Sequence, residues 1–430
     1  MTATGETDED RRKAGPGRSK STRSVAGARG LGARSGASEF ARHWSLDPHV
    51  AFLNHGSFGA CPIPVLEAQT RLRDRLERGP VQFLLRELDE LATSARAETA
   101  AFVGVDPDDL VFVANATTGV NTILRSLNFE PGDELLTTSH EYNACRNAMD
   151  FVAGRSGARV IAVDVPFPVG SPDEIMELLL DGASDRTRLA VVDHITSLTG
   201  IVMPIKRIVR AFAERGIETL VDGAHGPGML PLDITDIRPA FYTGNCHKWL
   251  CTPKGAALLY VRRDLQPSIR PLTLSHGANS RRTDVSRFQL EFGWTGTDDP
   301  TPYLCIPESI RFMGSLLPGG WSELMERNRD LALRARALLC EAVSVAPACP
   351  DEMIGTLASV PLSEGTYHFT TTALEFDELN TVLREEYGFE VPVLAYPPGP
   401  ASIIRVAAQV YNSIEQYAAL ADTLKMLLGR

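Results

Sequence analysis

Two short stretches bring together residue types that do chemistry as a pair. Asp222 lies in "LVDGAHGPG" (Leu220 to Gly228) and Lys248 in "TGNCHKWL" (Thr243 to Leu250). The mostly apolar run Ile217 to Val221 stops on the aspartate and then turns through Gly223, Gly226, Pro227 and Gly228. A buried parallel strand ends this way when it delivers a carboxylate to the C-terminal edge of a sheet. One connection, Met229 to Ala240, and one short apolar strand starting at Phe241 lead on to the lysine. Both groups can therefore reach the same sheet edge, where open α/β folds bind ligands. A carboxylate and an amine at one cleft suit pyridoxal phosphate (PLP): the amine bonds the aldehyde carbon and the acid keeps the ring nitrogen protonated.

Elimination supports Lys248, because only six of the 43 basic residues are lysines. Lys13 and Lys20 fall in a polar tail, Lys206 on a helix face patterned for solvent, and Lys425 near the C-terminus. Lys254 belongs to a proline-glycine turn, "TPKGAALLY", whereas His247 and Trp249 flank Lys248 in a mostly uncharged stretch. Desolvation there lowers an amine from about 10.4 toward the ~7 to 8 useful in catalysis. A surface lysine with its stem along apolar neighbours is the competing reading; it leaves Asp222 unexplained.

"DGAH" followed by "CHKW" resembles the fold-type I PLP enzymes, in particular the class V aminotransferase-like group of cysteine desulfurases, kynureninase and isopenicillin N epimerase. The similarity to the isopenicillin N epimerase-like branch runs from about Leu46 to Tyr411. It implies an α/β fold with a large domain, whose mostly parallel central sheet is flanked by helices, and a smaller α+β C-terminal domain. The expected division is residues 1–40 as a disordered tail, 41–70 as an N-terminal segment contributing to the active site and to the small domain, 71–305 as the PLP-binding large domain and 306–430 as the small C-terminal domain.

Composition fits these expectations. A chain of 430 residues with 43% hydrophobic side chains can bury one large core and a smaller one. A net charge of -11 argues against nucleic-acid or anionic-membrane partners. Seven irregularly spaced cysteines suggest reduced thiols and a cytoplasmic location. The first 36 residues are rich in Gly, Ser, Ala, Arg and Thr and carry no h-region of a signal peptide. "GLGARSG" in that tail has the wrong spacing for a dinucleotide loop.

Other segments supply candidate ligands. A strand over Leu110 to Val113 runs into Ala116, Thr117 and Thr118 and then a helix, whose free N–H groups and dipole end make an anion cradle. The resemblance puts Thr117 and Thr118 on the cofactor phosphate, with Asn245 and His247 near it. It puts Tyr142 over the pyridine face, where stacking contributes about 0.5 to 1.5 kcal/mol, and His225 near the ring 3-oxygen. His194, after the buried strand "RLAVVD", is the first choice for a further ring or substrate contact. Asp222 at about 2.8 Å from the ring nitrogen, with an effective dielectric of about 20, interacts by roughly 6 kcal/mol before desolvation.

Gly296 and Thr297 in "FGWTGTDDP" are placed by the resemblance on the phosphate of a neighbouring subunit, which implies a homodimer with shared sites. Arg405, a lone cation amid Ile404, Val406 and Ala407, needs a carboxylate; the resemblance makes that the substrate's α-carboxylate, with Tyr411 and Asn412 completing the motif. Asn54 and His55 in "LNHGSFGA" are candidate substrate-side groups, against the alternative of a glycine-rich turn.

For the reaction, a lysine amine that removes an α-proton is common ground. The segment before the arginine strand, "VPVLAYPPGPASIIR", has no cysteine to attack sulfur as the desulfurases do. Epimerisation or racemisation of an amino acid, in secondary metabolism such as antibiotic biosynthesis, is the first expectation, with Tyr142 or His55 as the second acid. A carbon–sulfur β-lyase acting on an S-substituted cysteine is the alternative, and a non-catalytic PLP-binding protein the reading from another class.

Overall fold

The computed structural model describes residues 36–362, 378–395 and 402–429. Residues 1–35, and with them nearly all of the expected tail, lie outside the described residues, as do residues 363–377, 396–401 and 430.

Seven strands form the large sheet: β1 (Leu110–Val113), β2 (Glu134–Thr138), β3 (Arg159–Val163), β4 (Thr187–Asp193), β5 (Glu218–Asp222), β6 (Phe241–Asn245) and β7 (Ala257–Val261). Their order is β1-β7-β6-β5-β4-β2-β3, and β7 alone runs against its neighbours. The alternating crossovers are helices: α1 (Ile63–Arg78) and α2 (Leu88–Val103) precede the sheet, then α3 (Ala116–Ser126), α4 (Asn143–Ser156), α5 (Pro172–Gly182) and α6 (Ile205–Glu214) connect strands. This is the mostly parallel, helix-flanked sheet expected.

Strand periodicity divides the core in two. Leu189, Val191, Leu220 and Phe241 point to the face covered by Val120, Ile123 and Leu124 of α3 and Met149 of α4. Their neighbours Ala190, Val192, Val221 and Tyr242 point to the opposite face, against Ile208 and Phe212 of α6. Asp193, Asp222 and Thr243 stand side by side in register. They continue the first face, so the carboxylates leave the sheet toward α3 and α4.

A 24-residue helix, α7 (Gly320–Val343), packs with a three-stranded antiparallel sheet of order β9-β10-β8, made of β8 (Leu357–Leu362), β9 (Val393–Ala395) and β10 (Ser402–Ala407). α8 (Glu378–Glu385) and α9 (Ile414–Leu427) complete this part. Near the N-terminus Ala51–Phe52 pairs in parallel with Phe389–Glu390, and Ala407 N–H donates to Leu53 O at 2.8 Å. The "LNHGSFGA" segment is thereby tied to β10. It contains one helical turn, His55–Phe58.

Candidate active site

Asp222 is 1% exposed, and both carboxylate oxygens are engaged: Oδ1 accepts from Ala224 N–H at 2.9 Å and Oδ2 from the Cys145 thiol of α4 at 3.1 Å. Burial pushes its pKa up, while these two donors and Lys248 pull it back. Glu141 and Asp193 share the pocket. Burial, then the Asp222 charge, drives Glu141 up to about 8, and burial with the Glu141 charge drives Asp193 well above the carboxylate range. One oxygen of each, Glu141 Oε1 and Asp193 Oδ2, is buried without a hydrogen-bond partner among the described residues. Lys248 is the cation whose charge reaches Asp222 and Asp193, and no salt bridge to any of the three acids is formed among the described residues.

Lys248 lies in the turn after β6 and is 9% exposed. Its Nζ is 3.0 Å from His225 Nε2. Burial, helped by the Arg405 charge and opposed by Asp222 and Asp193, lowers the amine to about 8. The backbone around it is clamped by the N-terminal segment. His55 Nε2–H donates to Lys248 O at 2.9 Å, and Gly59, at φ +70°, lies so close that a Cβ would come 2.0 Å from His247 O. Only glycine fits there. Lys254 spends its amine on Gly59 O at 2.9 Å, so the second lysine of the region is a structural tie.

Arg405, at the centre of β10, is 5% exposed. It donates to Ser197 O and, at 2.8 Å, to Ser57 Oγ. Its Nε has no partner and no carboxylate pairs with it among the described residues. Burial without a counter-ion lowers the guanidinium to about 10. An ion of this kind is costly to bury unless an anion arrives, and no internal salt bridge supplies one among the described residues.

Comparison with known proteins gives this arrangement a family. The sequence profile of the family described as Aminotransferase class-V matches residues 79–298. The chain is 34% identical over 397 residues to the isopenicillin N epimerase of Amycolatopsis lactamdurans, covering 89% of this chain and 96% of that protein. It is 31% identical over 414 residues to a probable chloroplastic L-cysteine desulfhydrase of Arabidopsis thaliana, covering 91% and 85%. The chain belongs to the class-V aminotransferase family. The fold agrees with a solved cystine C–S lyase in complex with cysteine persulfide, at a TM-score of 0.73 and 22% identity over 87% of this chain and 97% of that one.

This class-V enzyme is PLP-dependent, and its own residues fit the group. The unmatched acids at Asp193 and Glu141 suit a protonated ring nitrogen beside Asp222. The desolvated Lys248 amine suits an aldehyde. At the other end, Asn115 caps α3 and takes both the Thr118 N–H at 2.8 Å and the Thr118 hydroxyl at 3.0 Å. Thr117 has no side-chain hydrogen bond among the described residues, which leaves its hydroxyl and the helix dipole for an anion. Asn245 Oδ1 holds Ala116 N–H at 2.8 Å, so its amide N–H groups remain to donate. His247 Nδ1–H donates to Ala256 O at 3.1 Å, and Nε2 has no partner among the described residues. Burial lowers His247 to about 4; an adjoining phosphate dianion favours the imidazolium, which donates from both nitrogens. Thr297 is exposed on its loop, lines a surface cavity with Arg73, Leu84 and Asp299, and makes no side-chain hydrogen bond among the described residues.

Several expected site residues already have partners within the protein. His194 follows Asp193 and turns to the opposite face of the sheet, where its Nδ1 meets the Tyr242 hydroxyl at 3.0 Å. Burial alone lowers it to about 4, and a residue next to a pocket-facing strand residue points away from the pocket. His55 is not free to move a substrate proton. Its Nε2–H is committed to Lys248 O and its Nδ1 accepts from the Tyr411 hydroxyl at 2.8 Å, in a ring that is 0% exposed and lowered by burial to about 3. It positions the Lys248 backbone. Tyr411 thereby belongs to this support, and Asn412 bonds Phe52 O at 3.1 Å instead of joining Arg405. Asn54 acts at one remove, accepting from the Ser57 hydroxyl at 2.6 Å, whose oxygen in turn accepts from Arg405.

Tyr142 caps α4 at the pocket mouth, 44% exposed, and its hydroxyl has no partner among the described residues. Cys145, Glu141 and Ser57 were missed from sequence. A cysteine one turn into an amphipathic helix reads as a small core residue, and only the structure shows its thiol aimed at Asp222.

Proposed function

We propose that this PLP-dependent enzyme is a carbon–sulfur β-lyase acting on cysteine or an S-substituted cysteine. The observation that carries the reading is that the buried Lys248 amine, lowered to about 8, faces the pocket, while both ring nitrogens of the histidine expected as its opposite number are hydrogen-bonded elsewhere. Tyr142 is held protonated by burial and then by the Cys145 and Asp222 charges; it can donate a proton but is a poor base.

Bound PLP supplies an electron sink for the pair released when the α C–H bond breaks. Arg405 holds the substrate carboxylate in a two-pronged contact, with Ser57 and Ser197 fixing the plane of the guanidinium. Asp222 balances positive charge at the ring nitrogen, and Cys145 and the Ala224 N–H fix its two oxygens. Lys248 Nζ takes the α-proton. The Cβ–S bond then breaks, the thiolate leaves, and water converts the released unsaturated amine to pyruvate and ammonia. Amino-acid epimerisation is the second reading, favoured by the Amycolatopsis relative and by the unpartnered Tyr142 hydroxyl as a donor on the opposite face. A purely binding role is disfavoured by the joint presence of Lys248, Asp222 and an unpaired Arg405.

Incubation in deuterated water separates the two reactions. Pyruvate, ammonia and a thiol from an S-substituted cysteine support the lyase; α-deuteration with inversion and no pyruvate overturns it.

Two further outcomes follow from the same groups. Truncating Arg405 to alanine removes a charge-assisted carboxylate contact of about 2 to 5 kcal/mol, so KM for the amino acid should rise by about 30-fold or more while the visible absorbance of the holoenzyme is kept. An unchanged KM would move the carboxylate site elsewhere. The rate at which apoprotein captures PLP should rise with pH and level off above about 8, because Lys248 is neutral and nucleophilic only above its lowered pKa. Stopped-flow absorbance measures this; a rate still climbing tenfold per unit through pH 10 would mean an unshifted lysine.

The loop of half-buried Gly296 and exposed Thr297 reads as a contribution to a second copy's phosphate site, hence a homodimer. Seven buried free cysteines favour the reducing cytoplasm, and no helix among the described residues is long and apolar enough to cross a membrane. The chain is read as a large domain over 71–305, a small one over 306–430 and the 41–70 segment bridging to the site.

A further inference from the structure

Trp249 is 1% exposed, and its one polar atom, the indole N–H, donates to His225 Nδ1 at 3.2 Å. An indole nitrogen donates and does not accept, so His225 Nδ1 must present its lone pair. A neutral imidazole carries a single N–H, which this bond assigns to Nε2. Nε2 is the atom 3.0 Å from Lys248 Nζ.

We propose that Trp249 is a positioning residue that fixes the His225 tautomer, so that the imidazole offers an N–H, and not a lone pair, to the Lys248 nitrogen and the cofactor beside it. The two arrangements have opposite consequences. An N–H opposite the amine favours its neutral form, whose lone pair accepts the bond. A lone pair there invites a charged nitrogen instead. Without the indole N–H nothing selects between them: Arg405 on β10, His55 at the one-turn helix, His247 beside the lysine, and Asp222, Asp193 and Cys145 on the strand side carry charge or titrate nearby, yet none hydrogen-bonds the His225 ring among the described residues. Trp249 also packs in a small cluster with Ile195, Met229 and Leu357, which holds the indole still.

The inference rests on Lys248 being the cofactor lysine. Its test is the pH midpoint of the visible absorbance of the holoenzyme, in a cycle of Trp249→Phe, His225→Ala and the double variant. Loss of a single hydrogen bond corresponds to about one pH unit, so Trp249→Phe should raise the midpoint by about that much in the native background and leave it unmoved in the His225→Ala background. Equal shifts in both backgrounds would mean that Trp249 acts by packing alone, and no shift in either would mean that it does not set the tautomer; both overturn the proposal. If Trp249→Phe fails to hold PLP, benzothienylalanine at 249, which replaces the N–H by sulfur at nearly constant volume, carries the same comparison. Failure of the lysine assignment is distinguishable, since Lys248→Ala would then keep the visible band.

Discussion

Lys248→Ala should yield a folded protein that does not turn yellow with PLP and whose activity is lower by about 10⁴-fold or more. General base action alone contributes about 10² to 10⁴-fold, and in the proposed site the same nitrogen also attaches the cofactor, so both contributions go together. Stability should not suffer in proportion. The amine is buried, disfavoured in its charged form and held by a single side-chain contact to His225, so its removal relieves desolvation as it loses one hydrogen bond. A thermal melt beside the absorbance scan checks this. Lys254 offers no substitute, because its amine is held by Gly59 O across the clamp.

Asp222→Ala is the second large effect. Half of the roughly 6 kcal/mol expected between the carboxylate and a protonated ring nitrogen, the rest being offset by desolvation, still corresponds to at least about 10²-fold in kcat/KM. The loss should fall mainly on kcat, since the proposed mechanism assigns the substrate carboxylate to Arg405 and not to Asp222. Asp222→Ala also strands the Ala224 N–H and the Cys145 thiol, so some loss of stability accompanies it. A variant with wild-type kcat and an unchanged absorbance spectrum would show that one of the neighbouring acids, Glu141 or Asp193, carries the charge instead.

The parts legible in sequence were those written in local pattern. Apolar runs that stop on a carboxylate gave β4 and β5, and a Thr-rich strand-to-helix junction gave the start of α3. The lysine emerged from scarcity and from uncharged neighbours. What stayed hidden was set by direction across distance. His194 and Asp193 are adjacent in sequence, but a sheet sends them to opposite faces, and which face holds the cofactor depends on the packing of α3 and α4. His55 looked like a reactive group because nothing in "LNHGSFGA" announces that Tyr411, 356 positions later, will occupy its Nδ1. Ser57 is similar: its value lies in Arg405, brought over by the tie between the N-terminal segment and β10.

Reduction of the holoenzyme with borohydride, which fixes PLP to the nitrogen that holds it, followed by digestion and mass mapping, tests the central claim most directly. The expected result is a phosphopyridoxyl group on Lys248 and on no other lysine. A label on Lys254 or another lysine, or a yellow protein that takes up no label at all, would contradict it.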